Sequence, residues 1–215
     1  MTDGHCFCYL NTPEELSVAQ EWIVAQGSRV FLRDCLTCSI ALSVNMKDVT
    51  TGEKTELGQM EYNAKTNDAE AAIESLAEHL AAAIADLPHY AAATLIVAVP
   101  ARPGKTTRDL PTELAKRIAE KRKLTDLTPH FSYAGTREQL KELPLSERWA
   151  AWEGAKLTMT PGGAALLAGN PVILIDDKYQ SGVSANFVAM ILQQHGAADV
   201  YGLYAVKTMR DTDNT

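Results

Sequence analysis

The sequence predicts an α/β fold in which a parallel β-sheet is covered by helices on both faces. Three runs, at 94–99, 171–175 and 200–206, are so rich in β-branched and apolar residues that both faces of each strand must be buried. Segments with apolar residues at helical spacing separate these runs. Because parallel strands need crossover connections, usually helices, this alternation indicates a parallel sheet between two helical layers.

The N-terminal segment predicts one helix and one β-hairpin. Pro13–Ala25 has the pattern of a short amphipathic helix, and Thr12 before it is a suitable N-cap. Residues 39–46 alternate between polar and apolar and predict a strand. Residues 50–53 have the composition of a turn, so residues 54–62 can return as the second strand of the hairpin.

From residue 67 onward, helices and strands alternate. The first helix begins at Asn67 or Asp68, since either side chain can cap it, and ends near Pro88. Further helices are predicted over 109–123, 136–142, 146–154 and 184–195. A short additional strand is predicted at 130–133.

Composition and charge exclude several classes of protein. A chain of 215 residues, with 46% hydrophobic and 22% charged residues, is typical of one globular domain with or without a small appendage. The net charge of −7 argues against binding nucleic acid over the whole surface. The charge is uneven, however, because residues 1–90 carry 14 Asp and Glu against 5 Lys and Arg, and residues 101–126 carry 4 against 8. A local basic patch is therefore expected.

Neither a membrane anchor nor a signal peptide is predicted. The longest apolar stretch, 91–101, is far shorter than the roughly 18 residues that span a bilayer. Residues 1–5 lack a basic start followed by an apolar run. We therefore expect a cytoplasmic protein with no membrane partner.

One segment carries most of the chemical information. A buried strand leads into Asp176 and Asp177, and a loop with Ser181, Gly182 and Ser184 then opens a helix. Ligands of open parallel sheets bind beyond the carboxyl ends of strands. A glycine loop, hydroxyls and a helix N-terminus suit a phosphate, whereas paired carboxylates suit sugar hydroxyls or a divalent cation. The combination predicts a ribose phosphate site; the alternative is an ordinary strand end with exposed acids.

This pattern resembles the type I phosphoribosyltransferases, whose signature is an apolar strand, two acidic residues and a Thr/Ser-Gly-x-Thr/Ser phosphate loop. The matching residues are Asp176, Asp177, Ser181, Gly182 and Ser184. The resemblance covers the chain from about residue 60 onward. It implies a Rossmann-like phosphoribosyltransferase core over 61–215 and a small N-terminal hood over 1–60, which contains the β-hairpin and recognises the acceptor.

Within that superfamily, the chain is most similar to the ComF-like amidophosphoribosyltransferase relatives. Val97–Pro100 with the following Arg102-Pro103 is similar to their first strand and pyrophosphate loop. These relatives share a second pattern of Gln, Leu, Arg and Gly-Ala. The residues that lie near its positions here are Gln139, Leu143, Arg148 and Gly154-Ala155. The chain departs from that pattern at Ala151, where Asn is usual, and in its additional Trp149 and Trp152.

The resemblance implies a site for phosphoribosyl pyrophosphate (PRPP) with Mg²⁺. Asp176 and Asp177 would be the catalytic pair, binding the ribose 2- and 3-hydroxyls. The substrate-binding residues implied at the 5-phosphate and the pyrophosphate are Lys178, Tyr179, Gln180, Ser181, Gly182, Val183, Ser184, Ala101, Arg102, Pro103 and Lys105. For Lys178, a solvated or salt-bridged lysine is the alternative. Residues 135–141 could close over the site.

The implied activity is that of a glycosyltransferase, which transfers the phosphoribosyl group to a nitrogen acceptor and releases pyrophosphate. The acceptor is unidentified, but Gln180 stands where purine salvage enzymes carry an acid, which disfavours that specificity. The alternative is a non-catalytic ComF-like protein that binds PRPP or a nucleotide, or serves DNA uptake or processing. Its basic stretch 102–123 would then contact nucleic acid or a partner. A homodimer is compatible with either interpretation.

Four cysteines form two close pairs, Cys6 with Cys8 and Cys35 with Cys38. In a reducing compartment, such pairs indicate metal or redox chemistry before disulfides. ComF-like proteins often carry an N-terminal zinc ribbon built from two Cys-x-x-Cys knuckles. Two interpretations stay open: a structural Zn²⁺ held by all four cysteines, or by His5 with three of them, and a metal-free remnant.

Overall fold

The computed structural model describes residues 12–209 and confirms an α/β fold with a mostly parallel central sheet. The strands are β1 (Val30–Phe31), β2 (Cys38–Val44), β3 (Met46–Asp48), β4 (Glu53–Lys54), β5 (Leu95–Ala98), β6 (Thr125–Asp126), β7 (Phe131–Tyr133), β8 (Leu157–Met159), β9 (Val172–Tyr179) and β10 (Val200–Lys207). The central sheet has the order β1-β2-β10-β9-β5-β6, in which β1 is antiparallel to β2 and the other pairs are parallel.

Helices cover both faces of this sheet. They are α1 (Pro13–Gln26), α2 (Glu56–Thr66), α3 (Glu70–Asp86), α4 (Pro88–Ala91), α5 (Leu110–Arg122), α6 (Leu145–Ala155), α7 (Pro161–Leu167) and α8 (Val183–Gln194). One hydrophobic cluster joins the sheet to α2, α3 and α5, and a second joins its other face to α6, α7 and α8. The predicted arrangement of two helical layers is therefore confirmed.

Alternate residues of β9 divide between the two layers, as expected for a strand buried on both faces. Ile173 and Ile175 pack in the cluster with α3 and α5, whereas Val172 and Leu174 pack in the cluster with α8. All four side chains are inaccessible to solvent. This burial explains why the sequence of the strand lacks polar alternation until it reaches its acidic end.

The direction in which the chain crosses the sheet reverses between β5 and β9. From β5, the chain continues through α5 to β6 on one side, and from β9 it continues through α8 to β10 on the other. The helices that follow these neighbouring strands lie on opposite faces. Their loops therefore diverge and leave a crevice at the carboxyl ends of β5 and β9, where ligands of open α/β sheets usually bind.

The predicted strand over residues 54–62 is wrong, since this segment forms the helix α2. Thr55 caps the helix by accepting a hydrogen bond from the Gly58 amide at 3.0 Å. Leu57 and Ala64 then fall on the face that packs in the core. A hairpin is present, but it is short: β3 pairs with β4 around the predicted turn.

Other differences concern segments whose environment is set by distant residues. The predicted helix over 136–142 is only one 3₁₀ turn at Leu140–Glu142. The strand predicted near residue 130 exists as β7, but it pairs with β8 outside the central sheet, whose edge is β6. The helix α1 has its predicted start and N-cap and ends one residue later than predicted, yet it buries no residue, and Trp22 and Ile23 are exposed.

The predicted division at residue 60 stays a prediction. The strand β2 of the predicted hood lies inside the central sheet, where it pairs with β10. None of the helices within residues 12–209 is both long enough and apolar enough to cross a membrane.

Candidate functional site

A cleft of about 820 Å³ lies at the carboxyl ends of β5 and β9. The end of β9 and the following loop form its floor, and the loop after β5 and part of the segment 137–148 form its walls. The predicted site residues that line it are Asp176, Asp177, Lys178, Tyr179, Gln180, Ser181, Gly182, Val183, Ser184, Ala101, Arg102 and Lys105. The predicted Pro103 is not part of the wall.

The two carboxylates differ in their surroundings. The Asp177 amide donates a hydrogen bond to Asp176 Oδ1 at 2.9 Å, and the Asp177 carboxylate accepts one from the ammonium of Lys65. Burial and the charge of Asp177 raise the pKa of Asp176 well above its ordinary value. Burial also opposes the charge on Asp177, but the Lys65 ammonium, a hydrogen bond from the Asp176 side chain and the charge of Lys178 together outweigh it and lower the pKa of Asp177. The pair therefore holds one firmly ionised carboxylate beside one that protonates more readily.

Lys65 and Glu61 come from α2, and the sequence did not identify either as a site residue. The Lys178 Nζ lies 2.9 Å from Glu61 Oε2, and the Lys65 Nζ lies 4.0 Å from Glu61 Oε1. The Glu61 side chain is only 3% exposed. Burial, together with the charge of Asp177, raises the pKa of Glu61. Lys178 thus makes an ion pair, and its predicted contact with a ligand stays a prediction.

The loop after β9 leads directly into the N-terminus of α8. Gly182 precedes α8 with a φ of 77°, and no side chain caps that helix. The first amides of α8 are therefore not occupied by a capping side chain and are available to an anion. The Trp152 Nε1 donates a hydrogen bond to Ser184 Oγ at 3.3 Å, which fixes this hydroxyl at the cleft.

We expect Gly182→Ala to weaken ligand binding more than it weakens the fold. The positive φ costs any residue with a Cβ roughly 1 kcal/mol, and the added methyl would also overlap the hydroxyl of Tyr179. Gly169→Ala is the matched control, because Gly169 has a φ of 74° but nothing within 4 Å of its Cβ position. Calorimetric titration with PRPP should show a loss of affinity for Gly182→Ala only. Equal affinities in the two variants would contradict this role of the loop.

Cationic side chains line the opposite wall. The Tyr133 Oη donates to Ala101 O at 2.7 Å and holds the loop that carries Arg102 and Lys105. The guanidinium of Arg137 lies 3.9 Å from the centre of a Trp152 ring, an arrangement that fixes its direction. Burial, with a contribution from the charge of Arg102, lowers the pKa of Arg137. These groups make this wall suitable for a polyanionic ligand.

The segment predicted to close over the site lines the cleft with Arg137, Gln139 and Lys141. Arg148, beyond that segment, also lines it. Arg148 is a buried residue, and its Nε donates to Leu143 O at 3.0 Å. The prediction that the segment moves over the ligand stays a prediction.

The basic helix α5 directs several of its cations toward α3 rather than toward the cleft. The Arg117 Nη1 lies 2.9 Å from Glu74 Oε2, and the same guanidinium pairs with Glu70. Lys121 pairs with Glu74 and lies 3.7 Å from Glu78. We call these contacts between α3 and α5 the interhelical ladder. Arg117 and Lys121 are therefore engaged within the protein and do not present a free basic face to nucleic acid.

The zinc prediction stays untested. Cys6 and Cys8 lie outside the described residues. Cys35 and Cys38 are both free thiols, and Cys35 Sγ donates to Asn186 Oδ1 at 2.7 Å. Among residues 12–209, no three His, Cys, Asp or Glu side chains are grouped so that they could hold a metal ion.

The chain has little similarity to known proteins in the comparisons that follow. The chain matches no family model and no curated protein. A solved structure of the allosteric regulatory enzyme of purine biosynthesis is similar over 61% of this chain, with 16% identity and a TM-score of 0.39. The chain spans 26% of the length of that enzyme chain. What the protein does therefore has to be inferred from the residues of its own site.

Proposed function

We propose that this protein binds PRPP in the cleft and transfers its phosphoribosyl group to a nitrogen acceptor, with release of pyrophosphate. One observation carries the proposal. The acidic pair and the glycine-serine loop end β9 at the reversal point of the sheet, directly beside the cationic loop that ends β5. A ligand that spans these groups must carry a diol, a phosphate and a second anionic group, and PRPP carries all three.

The acidic pair suits the ribose hydroxyls. The Asp177 amide uses one oxygen of Asp176, and Lys65 uses one oxygen of Asp177. Each carboxyl oxygen has two lone-pair sites, so both side chains keep acceptor capacity beyond these contacts. Two adjacent hydroxyls of a ribose can therefore donate to two adjacent carboxylates without breaking these contacts.

The loop after β9 suits the 5-phosphate. The helix α8 begins at the cleft, directly after Gly182. Its first amides and the positive end of its dipole therefore favour an anion there. The hydroxyls of Ser181 and Ser184 add donors beside those amides. This set of neutral donors binds a phosphate without placing a cation beside the carboxylates.

The cationic wall suits the pyrophosphate. In the reaction, the bond between ribose C1 and the pyrophosphate oxygen breaks, and a bond from C1 to the acceptor nitrogen forms. Arg102 and Arg137 are positioned to stabilise the negative charge that grows on the departing oxygen, whereas Lys105 also lines the cleft but pairs with Asp109 at 2.6 Å. Mg²⁺ fits this wall as the companion of the pyrophosphate, whose hard oxygens bind it, and when bound it would supply further positive charge there.

Pyrophosphate release tests the proposal. The full chain is incubated with PRPP and Mg²⁺ and with a panel of acceptors that includes ammonia and free nucleobases, and released pyrophosphate is measured. Release that depends on one acceptor would support the transferase. Binding of PRPP by calorimetry with no release for any acceptor would instead favour a non-catalytic sensor. No binding at all would show that the proposed function is wrong.

We expect Arg102→Gln to lower the turnover of PRPP about 10- to 100-fold, because one preorganised cation at a developing charge contributes a few kcal/mol. The effect should fall mainly on kcat. Arg122→Gln is the matched control, since Arg122 is an exposed cation at the end of α5 and does not line the cleft. If both variants keep the wild-type kcat, the loop after β5 does not bind the leaving group.

A further inference from the structure

The ammonium of Lys65 lies on the carboxylate of Asp177, inside the site proposed for the ribose hydroxyls. We infer that Lys65 is a resident counter-ion of the acidic pair, so that the site binds a ribose phosphate without a divalent cation. The inference rests on the proposed function, since it assumes that the pair accepts the hydroxyls of a sugar phosphate. It adds that a group within the chain supplies the positive charge that the carboxylates need.

The burial of the carboxylates shows why a counter-ion is needed. The side chains of Asp177 and Glu61 are only 5% and 3% exposed. Removing a carboxylate from water is unfavourable, and a nearby cation with good geometry offsets that cost. Lys65 contacts Asp177 directly, and Lys178 contacts Glu61 at 2.9 Å. Three carboxylates, including Asp176, thus share two ammonium groups.

The backbone of Lys65 is fixed by the packing of α2, and its side chain, 53% exposed, extends from there to the carboxylate of Asp177. The Thr55 amide donates to Asn45 O at 3.3 Å, and the Thr55 Oγ1 donates to Val44 O at 2.6 Å, which ties the start of α2 to the end of β2. Gly58 lies so close to the Asn45 carbonyl that no side chain fits between them. The helix therefore has little room to move relative to the sheet, and it presents Lys65 to Asp177 in a defined place.

The same charges act differently on a metal ion and on a sugar. A divalent cation that approaches the acidic pair alone meets carboxylates whose charge Lys65 has partly neutralised, and the Lys65 ammonium repels it. A hydroxyl pair carries no charge and needs only the carboxylate oxygens that Lys65 and the Asp177 amide leave available. The site should therefore accept the diol first and should not bind Mg²⁺ by itself.

Ribose 5-phosphate is the probe for this inference, because it has the diol and the 5-phosphate but no pyrophosphate to bring a metal ion with it. Its affinity for the full chain is measured by calorimetry in EDTA and again in MgCl₂. The variants are Lys65→Met, which removes the charge, and Lys65→Arg, which keeps it. Lys47→Met is the matched control, because Lys47 also forms a lysine–carboxylate pair, with Glu53 at 2.8 Å, but lies outside the cleft.

We expect wild type, Lys65→Arg and Lys47→Met to bind ribose 5-phosphate in EDTA. Adding Mg²⁺ should change the affinity of each less than threefold. Lys65→Met should bind at least tenfold more weakly in EDTA, and Mg²⁺ should restore part of that loss. Mg²⁺ alone should raise the melting temperature of Lys65→Met but not of wild type. A melting temperature of wild type that rises with Mg²⁺ alone would contradict the repulsion argument.

Two further outcomes separate this inference from the proposed function. If wild type binds ribose 5-phosphate only with Mg²⁺, the inference is wrong while the proposed site survives. If wild type binds the probe under neither condition, the proposed site itself is wrong. The metal dependence of the wild type decides these cases even if Lys65→Met fails to fold.

Discussion

Replacing Asp176 and Asp177 together by Asn should remove most of the stabilisation that PRPP gives to the fold. A ligand at about 100 times its Kd raises the free energy of unfolding by about 2.7 kcal/mol. The double variant keeps the shape of the pair, but two amides each present only one oxygen, and neither carries the charge that strengthens a hydrogen bond from a sugar hydroxyl. Denaturant unfolding with and without PRPP and Mg²⁺ measures the difference.

The comparison is made within each variant, because the double substitution also leaves Lys65 without its ion-pair partner at Asp177 and changes the stability of the ligand-free protein. Asp86→Asn is the control for loss of a paired carboxylate, since Asp86 pairs with Arg29 at 2.9 Å outside the cleft. Stabilisation of the double variant equal to that of the wild type would show that the site has been assigned to the wrong residues.

Gly58→Ala should lower the free energy of unfolding by about 3 kcal/mol, at the upper end of the usual cost of overpacking. The new methyl would overlap the carbonyl of Asn45, which is backbone and has little freedom to move. This loss should exceed the gain of up to about 1 kcal/mol that alanine normally brings to a helix. Because α2 must shift, Lys65 and Glu61 should also move relative to β9, and binding of ribose 5-phosphate should weaken.

Gly154→Ala is the matched substitution for Gly58→Ala. Gly154 also lies in a helix, α6, but the nearest atom to its Cβ position is 3.7 Å away, an ordinary contact. Its replacement should leave the protein as stable as the wild type or slightly more stable. Equal unfolding curves for the two variants would mean that α2 is not held as closely to β2 as the geometry indicates.

The strands around the site could be predicted from the sequence because their signal is local. The short run Val172–Ile175 favours a buried strand because three of its four residues are β-branched, and the loop that follows has a recognisable composition. The prediction ended this strand at residue 175, but β9 continues to Tyr179. Asp176 and Asp177 therefore belong to the strand itself, so its hydrogen bonds to β10 hold their backbone in place.

The part of the site that α2 contributes could not be predicted, because it depends on contacts between residues that are distant in the sequence. Lys65 and Asp177 are 112 residues apart, and only the packing of α2 on the sheet brings them together. The prediction of a strand over 54–62 hides the spacing of Glu61 and Lys65, which lie four residues apart on one helical face. The N-cap Thr55 was the available signal, but it lacks the Glu or Gln three residues later that strengthens such a prediction.

The prediction of a helix over 136–142 is wrong for a related reason. Its composition allows a helix, but stacking of Arg137 on Trp152, 15 positions along the chain, holds the side chain beside the cleft instead. A propensity for helix is a weak preference that tertiary contacts of this kind readily override.

The interhelical ladder has a consequence for the rate at which ligand is captured. Glu70 and Glu74 of α3 are neutralised by cations of α5, so two of the acidic residues of 1–90 are balanced locally. The cations at the cleft wall, among them Arg102 and Arg137, are then left to attract anions from solution. A cleft concentrates such a field, and salt screens it beyond about 8 Å at physiological ionic strength. A protein with a net charge of −7 can in this way steer a polyanion into its site, and added salt should slow that encounter.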